Sequence, residues 1–599
     1  MMGDRVNAKV RVPNGAARLF RSFLAAGLTR ELRACGPKRR DWISVDHHRV
    51  VVEELSEYHL FRVPPGRVEE LRVGSRILLE LEGRRPLFAR LVAKSEEGVT
   101  LGLREALTGP VPPGRIAPDS RWIHHCLRAC LLAGLSGHDT LALEMLGFPV
   151  RRPRVSAPAV SLPGDLNHGQ ASAVLEAVRP GVLVLNAGPG TGKTHTIAAL
   201  SAVLASLERR VLIVAPSNRA ADEAAMAVCG RLQSHPEFGD GLVLRYGRSK
   251  LVPLEQAYGP AIDPVRIAVR QLSAMGNSDP TPDELGQVVD DLVREAPVVI
   301  STVAQTWLSR RLTETGFHTV VVDEAGMMSL PSAYYVATVA DHSLVIAGDR
   351  LQLPPVTRSR QQVARTFFGT GPLDVSATDE SGAGPRTVTL RDQHRMDGPI
   401  LGLANGLTYR GVLRAGPALG MRASLRGPSL ILVDSASESP QPGGRRGHGN
   451  PCHARLVARI LHRYTGPESD ESRDVLVLSR FREQVQLLRS ALPDWAADRA
   501  MTIHAAQGGE AHTVVLDLCY APGGFRGDYL EDGQLTSTGA RLLNVAITRA
   551  RRRLVVVANV PLLREVVPED AKVRDLLNYL TRHGSVMSPA DFPLPDRAG

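Results

Sequence analysis

From Asp165 onward, short runs of β-branched and leucine residues, each bounded by glycine or charged positions, alternate with stretches whose apolar positions repeat at helical spacing. Such runs read as strands buried on both faces, and their alternation with helices predicts doubly wound α/β layers. The first set of predicted strands is Val182–Leu185, Val211–Val214, Val298–Ser301, Thr319–Val322 and Ser343–Ala347. A polar, helix-leaning stretch at about 253–294 is too long for a plain loop and predicts a helical insertion. After a Gly/Ser/Asp-rich hinge at 370–384 comes a second set: Leu430–Val433, Val475–Leu478, Met501–His504, Thr513–Asp517 and Leu554–Val557.

Upstream the pattern changes. Residues 16–35 have helical spacing, HHRVVVEEL reads as a strand, and short alternating segments between residues 69 and 106 predict a small antiparallel barrel. Residues 117–147 are again helical in pattern, and 147–163, with Arg151, Arg152 and Arg154 among prolines, reads as a linker. The expected organisation is thus an N-terminal region at 1–60 available to protein partners, a barrel at 61–115 and a helical stalk and linker at 116–165. Two α/β domains follow at 166–376 and 377–588, then a disordered tail at 589–599. The loop 435–450 is also expected to be disordered.

Composition narrows the partners. A chain of 599 residues exceeds one hydrophobic core, and 43% apolar with 22% charged residues is an ordinary globular balance. No apolar run approaches the ~20 residues of a membrane span, and the start at Met1 lacks a secretory segment, so a cytoplasmic location is expected. The six cysteines are scattered, which argues against a disulfide scaffold. His124, His125, Cys126 and Cys130 lie together, but IHHCLRACLLAGL reads as a half-buried helix in preference to a zinc set. A net charge of +10 favours a polyanionic partner, and 4% aromatics favour backbone contacts over base stacking.

The chemistry centres on VLVLNAGPGTGKTHTIAAL, residues 182–200, where a strand meets a glycine-rich turn and a helix begins at once. Gly188, Gly190, Thr191 and Gly192 would turn backbone N–H groups towards phosphates, Lys193 would neutralise them, and Thr194 would hold Mg²⁺. HTVVVDEAG ends a strand on two acids: Asp323 suits the metal, and Glu324 suits the attacking water. In SLVIAGDRLQLPPV, Gln352 suits a γ-phosphate sensor, and Pro354 with Pro355 stiffens the loop towards a bound strand.

Together with LNHGQ, APSNRAAD, ISTVAQT, LRDQHRM, MTIHAAQGGE and LLNVAITRARRRL, these segments make residues 166–559 resemble superfamily 1 helicases, in particular the 1B group of RNA-surveillance helicases and senataxin. The resemblance implies two tandem RecA-like P-loop domains using ATP and Mg²⁺. It places Gln170 on the adenine, Arg395 and Arg549 on the γ-phosphate, and Glu510 on the nucleotide in a coupling segment with Thr502, Gln507 and Gly508. Ser217, Asn218, Thr302, Pro354, Thr502 and His504 are placed on the nucleic-acid strand. Met327 and His504 depart towards the RecD-type branch, and His453 stands where relatives often have Glu, so no role is carried onto it. The implied function is ATP-dependent 5′-to-3′ movement by a monomer on single-stranded DNA or RNA with duplex unwinding. An ATPase switch that remodels nucleoprotein complexes without unwinding is the alternative.

Overall fold

The computed structural model describes residues 14–35, 42–53, 56–64, 71, 73–84, 87–95, 98–103, 107, 110–119, 121–134, 139–148, 150, 159–359, 361–376, 385–422, 425–438, 449–464, 474–520 and 533–593. The expected basic linker Arg151, Arg152 and Arg154, most of the hinge at 377–384, the core of the loop at 439–448 and the tail at 594–599 lie outside these residues. Among the described residues no helix is long and apolar enough to cross a membrane. The chain forms two units.

One unit comprises residues 13–135 and 356–369. Its six strands, β1 (Ile43–Glu53), β2 (Ser56–Arg62), β3 (Arg76–Leu81), β4 (Leu87–Ser95), β5 (Gly98–Leu103) and β6 (Gly114–Pro118), close an antiparallel barrel in the order β1-β2-β5-β4-β3-β6. Alternate positions such as Ile77, Leu79, Leu91, Leu101 and Ile116 fill its interior. The barrel therefore begins well before the expected 61. The first seven residues of HHRVVVEEL, HHRVVVE, belong to β1, and β1 closes the barrel by pairing with distant β6, Ile43 opposite Ile116. Helices Asn14–Ala34 and Arg121–Ala133 pack beside each other, the second burying Leu127 and Leu131.

Helix Gln362–Phe368 completes this unit against the first of those helices. The buried Glu31 carboxylate accepts hydrogen bonds from Thr357 Oγ1 at 2.7 Å, Arg358 N at 2.6 Å and Ser359 N at 3.0 Å. Residues 356–369, expected within the first α/β domain, thus fold with the barrel because they satisfy a buried charge there.

The other unit holds two parallel sheets. The first contains β7 (Gly181–Ala187), β8 (Val211–Ala215), β9 (Val243–Arg245), β10 (Val298–Thr302), β11 (Phe317–Val322), β12 (Ala340–Gly348) and β13 (Arg386–Leu390), in the order β13-β7-β12-β11-β8-β10-β9. All five expected strands are present. The two edge strands were not expected, β9 because it has three residues and β13 because its alternating RTVTL lies beyond the hinge. β13 pairs with β7, so the first sheet extends past the expected boundary at 376. The helical insertion forms as Val252–Ile262, Pro264–Ala274 and Pro282–Glu295; Asp263 caps the second helix, and Thr281 with Glu284 makes a capping box on the third.

A two-stranded pair, β14 (Asp392–Gln393) and β15 (Arg414–Ala415), precedes the second sheet. That sheet contains β16 (Leu430–Asp434), β17 (Val475–Ser479), β18 (Ala500–Thr502), β19 (Ala511–Asp517), β20 (Ala550–Ala558) and β21 (Ser585–Met587), in the order β18-β17-β19-β20-β16-β21. The expected strand Met501–His504 starts one residue earlier and stops at Thr502, where the chain turns back on itself through Ala505 N to Thr502 O. The tail is ordered further than expected. Phe592 is 1% exposed in the core under β16 and β17, and Arg459 donates to the carbonyls of Pro589 and Phe592. Phe592→Ala is expected to cost about 3–5 kcal/mol as a cavity mutation. Chemical denaturation followed by circular dichroism checks it, and an unchanged midpoint would show that the tail is not anchored there.

Candidate functional site

β7 delivers the chain into the loop 188–192, and helix Lys193–Ser206 leaves it. Gly190 and Gly192 have φ of 73° and 82°, conformations costly for any other residue. Space imposes the same choice: a Cβ on Gly190 would lie 2.4 Å from Arg395 Cβ, and one on Gly192 would lie 2.4 Å from Gln170 Nε2. Thr191 Oγ1 donates to Gly188 O at 2.8 Å, closing the turn. Lys193 and Thr194 occupy the first turn of the helix, at its positive end.

Two strands away, β11 leads straight into Asp323, whose N–H continues the ladder to Val214 O. The next residue, Glu324, adopts φ 51°, a strained conformation that turns its carboxylate back towards Lys193. Lys193 Nζ lies 2.9 Å from Asp323 Oδ1 and also bonds Glu324 Oε1. Burial alone would push the Lys193 pKa down, but the two carboxylates outweigh it and hold the value above the ordinary lysine range. Burial opposes the charged form of Glu324 too, yet the Lys193 ammonium prevails and keeps its pKa below the usual carboxylate value. At neutral pH this acid is ionised, the state a general base requires.

A cavity of about 310 Å³ opens above the loop. Its walls bring together Gly188, Gly190, Thr191, Gly192, Lys193, Thr194, Glu324 and Gln352 from the first layer with Arg395, Gly508, Glu510 and Arg549 from the second. Arg395 Nε sits 2.5 Å from Glu510 Oε2, and its Nη1 donates to Thr548 O at 3.3 Å. Arg549 is 2% exposed and donates to Val545 O at 3.1 Å and Gly509 O at 2.9 Å. Burial first, and the neighbouring Arg395 charge second, push its pKa down to about 10. Gln352 Nε2 donates to Asp349 Oδ2 at 3.1 Å. A more open hollow of about 480 Å³, beside Asp165, His195 and Arg231, contains neither acid of the pair.

Gln170 lies beneath the loop, not on the cavity wall. Its side chain completes a capping box with Asn167 and donates to Thr191 O at 3.2 Å, so it braces the glycine turn. The residues expected on a nucleic-acid strand sit at strand ends. Thr302 closes β10 in register with Ala215 of β8, and Ser217 caps helix Asn218–Leu232 through Ala220 N. Asn218 Oδ1 accepts from Arg245, whose Nε forms a buried ion pair with Asp222 at 2.8 Å. Pro354 is half-buried, as are Thr502 at the end of β18 and His504 two residues on. Burial, reinforced by Arg480, pushes the His504 pKa down to about 4, so this imidazole is neutral at pH 7 and offers a strand no positive charge.

One AAA-domain family model matches residues 170–358 and a second matches residues 378–561, the second taking in β13 and all strands of the second sheet but β21. The chain is 26% identical to DNA-binding protein SMUBP-2 of Mesocricetus auratus over 69% of this chain and 44% of that protein. It is 25% identical to DNA replication ATP-dependent helicase/nuclease JHS1 of Arabidopsis thaliana over 69% of this chain and 30% of that protein. It is 23% identical to DNA polymerase alpha-associated DNA helicase A of Saccharomyces cerevisiae over 67% of this chain and 66% of that protein.

The chain belongs to the superfamily 1 helicases. It spans less than half the length of the SMUBP-2 relatives it matches.

In this superfamily 1 chain the structure adds residues that motif reading passed over. Arg422 donates to His394 O at 2.7 Å and Arg395 O at 2.8 Å, fixing the backbone that carries Arg395. Its sequence neighbourhood, between glycine-rich turns, gave no signal. Glu223 also lines the cavity; burial raises its pKa despite Arg219, and the charges of Glu324 and Asp323 add to the rise. Its position five residues after Asn218 was the available clue. Tyr409, buried, donates to Asp349 Oδ2, and the buried Asn544 donates in turn to the Tyr409 hydroxyl.

Proposed function

We propose that this chain is an ATP-dependent helicase or translocase of the 1B group, built on tandem RecA-like domains, that moves 5′ to 3′ along single-stranded DNA or RNA. The observation that carries the reading is the single cavity in which Lys193 and Glu324 of the first layer face Arg395 and Arg549 of the second. Such a site becomes complete for phosphoryl transfer only when both layers contribute, so hydrolysis couples to their relative movement. The fit to a nucleoside triphosphate is specific: a cradle whose glycines leave no room for a Cβ, a half-buried ammonium, and an ionised acid where water must be activated. Thr194 and Asp323 would hold Mg²⁺, which neutralises phosphate charge when bound.

Each residue then has a task. Lys193 leaves its carboxylates for the phosphates, Glu324 orients and deprotonates the water, and Gln352 senses the γ-phosphate. Arg395 and Arg549 meet the charge that develops in transfer. The strand ends holding Ser217, Thr302 and Thr502 supply backbone contacts to nucleic acid, in keeping with the DNA named in the relatives' descriptions. Partial duplexes with a 5′ or a 3′ single-stranded tail test the proposal. Unwinding is expected for the 5′-tailed substrate, and preferential unwinding of the 3′-tailed one would overturn the direction. ATP turnover with no strand separation from either would favour a remodelling switch.

A further inference from the structure

Tyr409 is buried where three functional segments meet. Its hydroxyl donates to Asp349 Oδ2 at 2.5 Å and accepts from Asn544 Nδ2 at 2.8 Å, so both its donor and an acceptor position are committed. Asp349 holds the cavity loop in turn: its Oδ1 accepts from Leu351 N at 2.9 Å and its Oδ2 from Gln352 Nε2 at 3.1 Å. Asn544 Nδ2 reaches the same loop by donating to Leu351 O at 2.8 Å. The ring lies against the phosphate loop, where a Cβ on Gly188 would come within 3.5 Å of its Cε1. The asparagine stands on helix Thr538–Ile547, which leads directly into Arg549, and Arg549 bonds back to Val545 O of that helix.

The backbone around Tyr409 is specialised as well. Asn405–Tyr409 is a π-helical turn, a rare form frequent at functional sites, and Arg410 leaves it at φ 50°. Asn405 fixes the turn by donating to Leu413 O at 2.9 Å. Asp349, Tyr409 and Asn544 are 6%, 6% and 2% exposed, so water cannot replace a broken bond among them without the site opening.

We infer that Tyr409 is a positioning residue that ties the Gln352 loop to the helix leading into Arg549, so that the γ-phosphate sensor and the arginine move as one piece. The inference rests on the proposed ATPase reading. A γ-phosphate that reorders Gln352 would pull on Asp349, through it on the Tyr409 hydroxyl, and through Asn544 on the arginine helix. Nucleotide binding itself uses the loop, Lys193 and Thr194, none of which needs the tyrosine hydroxyl.

The test is steady-state ATP hydrolysis with saturating single-stranded nucleic acid for wild type, Tyr409→Phe, Asn544→Ala and the double variant. Each single change is expected to lower kcat about tenfold, the size of one lost hydrogen bond in the transition state, with KM for ATP and the thermal midpoint of Tyr409→Phe near wild type. The double variant is expected to fall no further than the singles, because the residues act through one chain of bonds. Wild-type kcat in Tyr409→Phe, losses that multiply in the double variant, or a matching rise in KM would overturn the inference. Wild-type protein without ATP turnover would overturn the proposed function itself, whereas normal wild-type turnover confines any failure to the tyrosine.

Discussion

Lys193→Ala is expected to abolish ATP turnover, lowering it by about 10³-fold or more, as removal of a principal charge-stabilising group does in phosphoryl and acyl transfer. The structure predicts damage on two counts. The loop loses the cation that would neutralise the phosphates. Glu324 also loses the ammonium that holds its pKa low, and it remains beside Asp323 in a buried site. Beside the carboxylate of Asp323, Glu324 then keeps only the weaker pull of Arg549 and Arg395, so its ionised form is less favoured and the general base is partly neutralised as well. The sign follows from the shift: the Lys193 contact favours the ionised acid, and without it Glu324 protonates at higher pH. Turnover measured with saturating nucleic acid, together with binding of a fluorescent ATP analogue, separates the two losses. Turnover within tenfold of wild type would show that this lysine does not serve the phosphates.

Arg549→Ala is expected to lower kcat by about 10³- to 10⁵-fold, the range of an arginine finger, while ATP binding changes only a few-fold. The guanidinium is buried beside Arg395 and gives two of its donors to the carbonyls of Gly509 and Val545. That holds the fork in the cavity wall with other N–H groups still to offer, and it keeps the charge preorganised. Arg549→Lys should recover only a small part of the rate, because an ammonium cannot reproduce the fork that spans both carbonyls and a phosphate. Single-turnover hydrolysis with prebound ATP is the measurement. Near-normal rates in Arg549→Ala would assign the finger elsewhere, with Arg395 the remaining arginine against Glu510.

What the sequence made legible was whatever is local along the chain. The glycine turn, Lys193 and Thr194 are consecutive, and Asp323 with Glu324 closes a strand, so pattern alone places them. Bringing Arg395 and Arg549 to the same cavity required the ordered match to a known family, because no local pattern specifies a contact between residues so far apart. The misplacements share that cause. β1 reads as a lone strand until its partner β6 is known, and β13 reads as part of the second layer until it is seen beside β7. Tyr409 stands in an unremarkable NGLTYRG, and its role depends on Asp349 and Asn544. His504 carries a histidine's usual promise of charge, which burial removes.

The barrel unit is assembled from two stretches of chain, and Thr357 stands 326 residues from the Glu31 carboxylate it satisfies. It is therefore not a cassette that a gene fusion could add or remove at one joint. A cut at residue 135 would take away the barrel and its helices but leave behind 356–369, with Phe368 stripped of its burial and Glu31 stripped of three donors. Exchange of this unit between relatives must transplant both stretches together, because residues 357–359 supply the donors that the Glu31 carboxylate of helix Asn14–Ala34 needs.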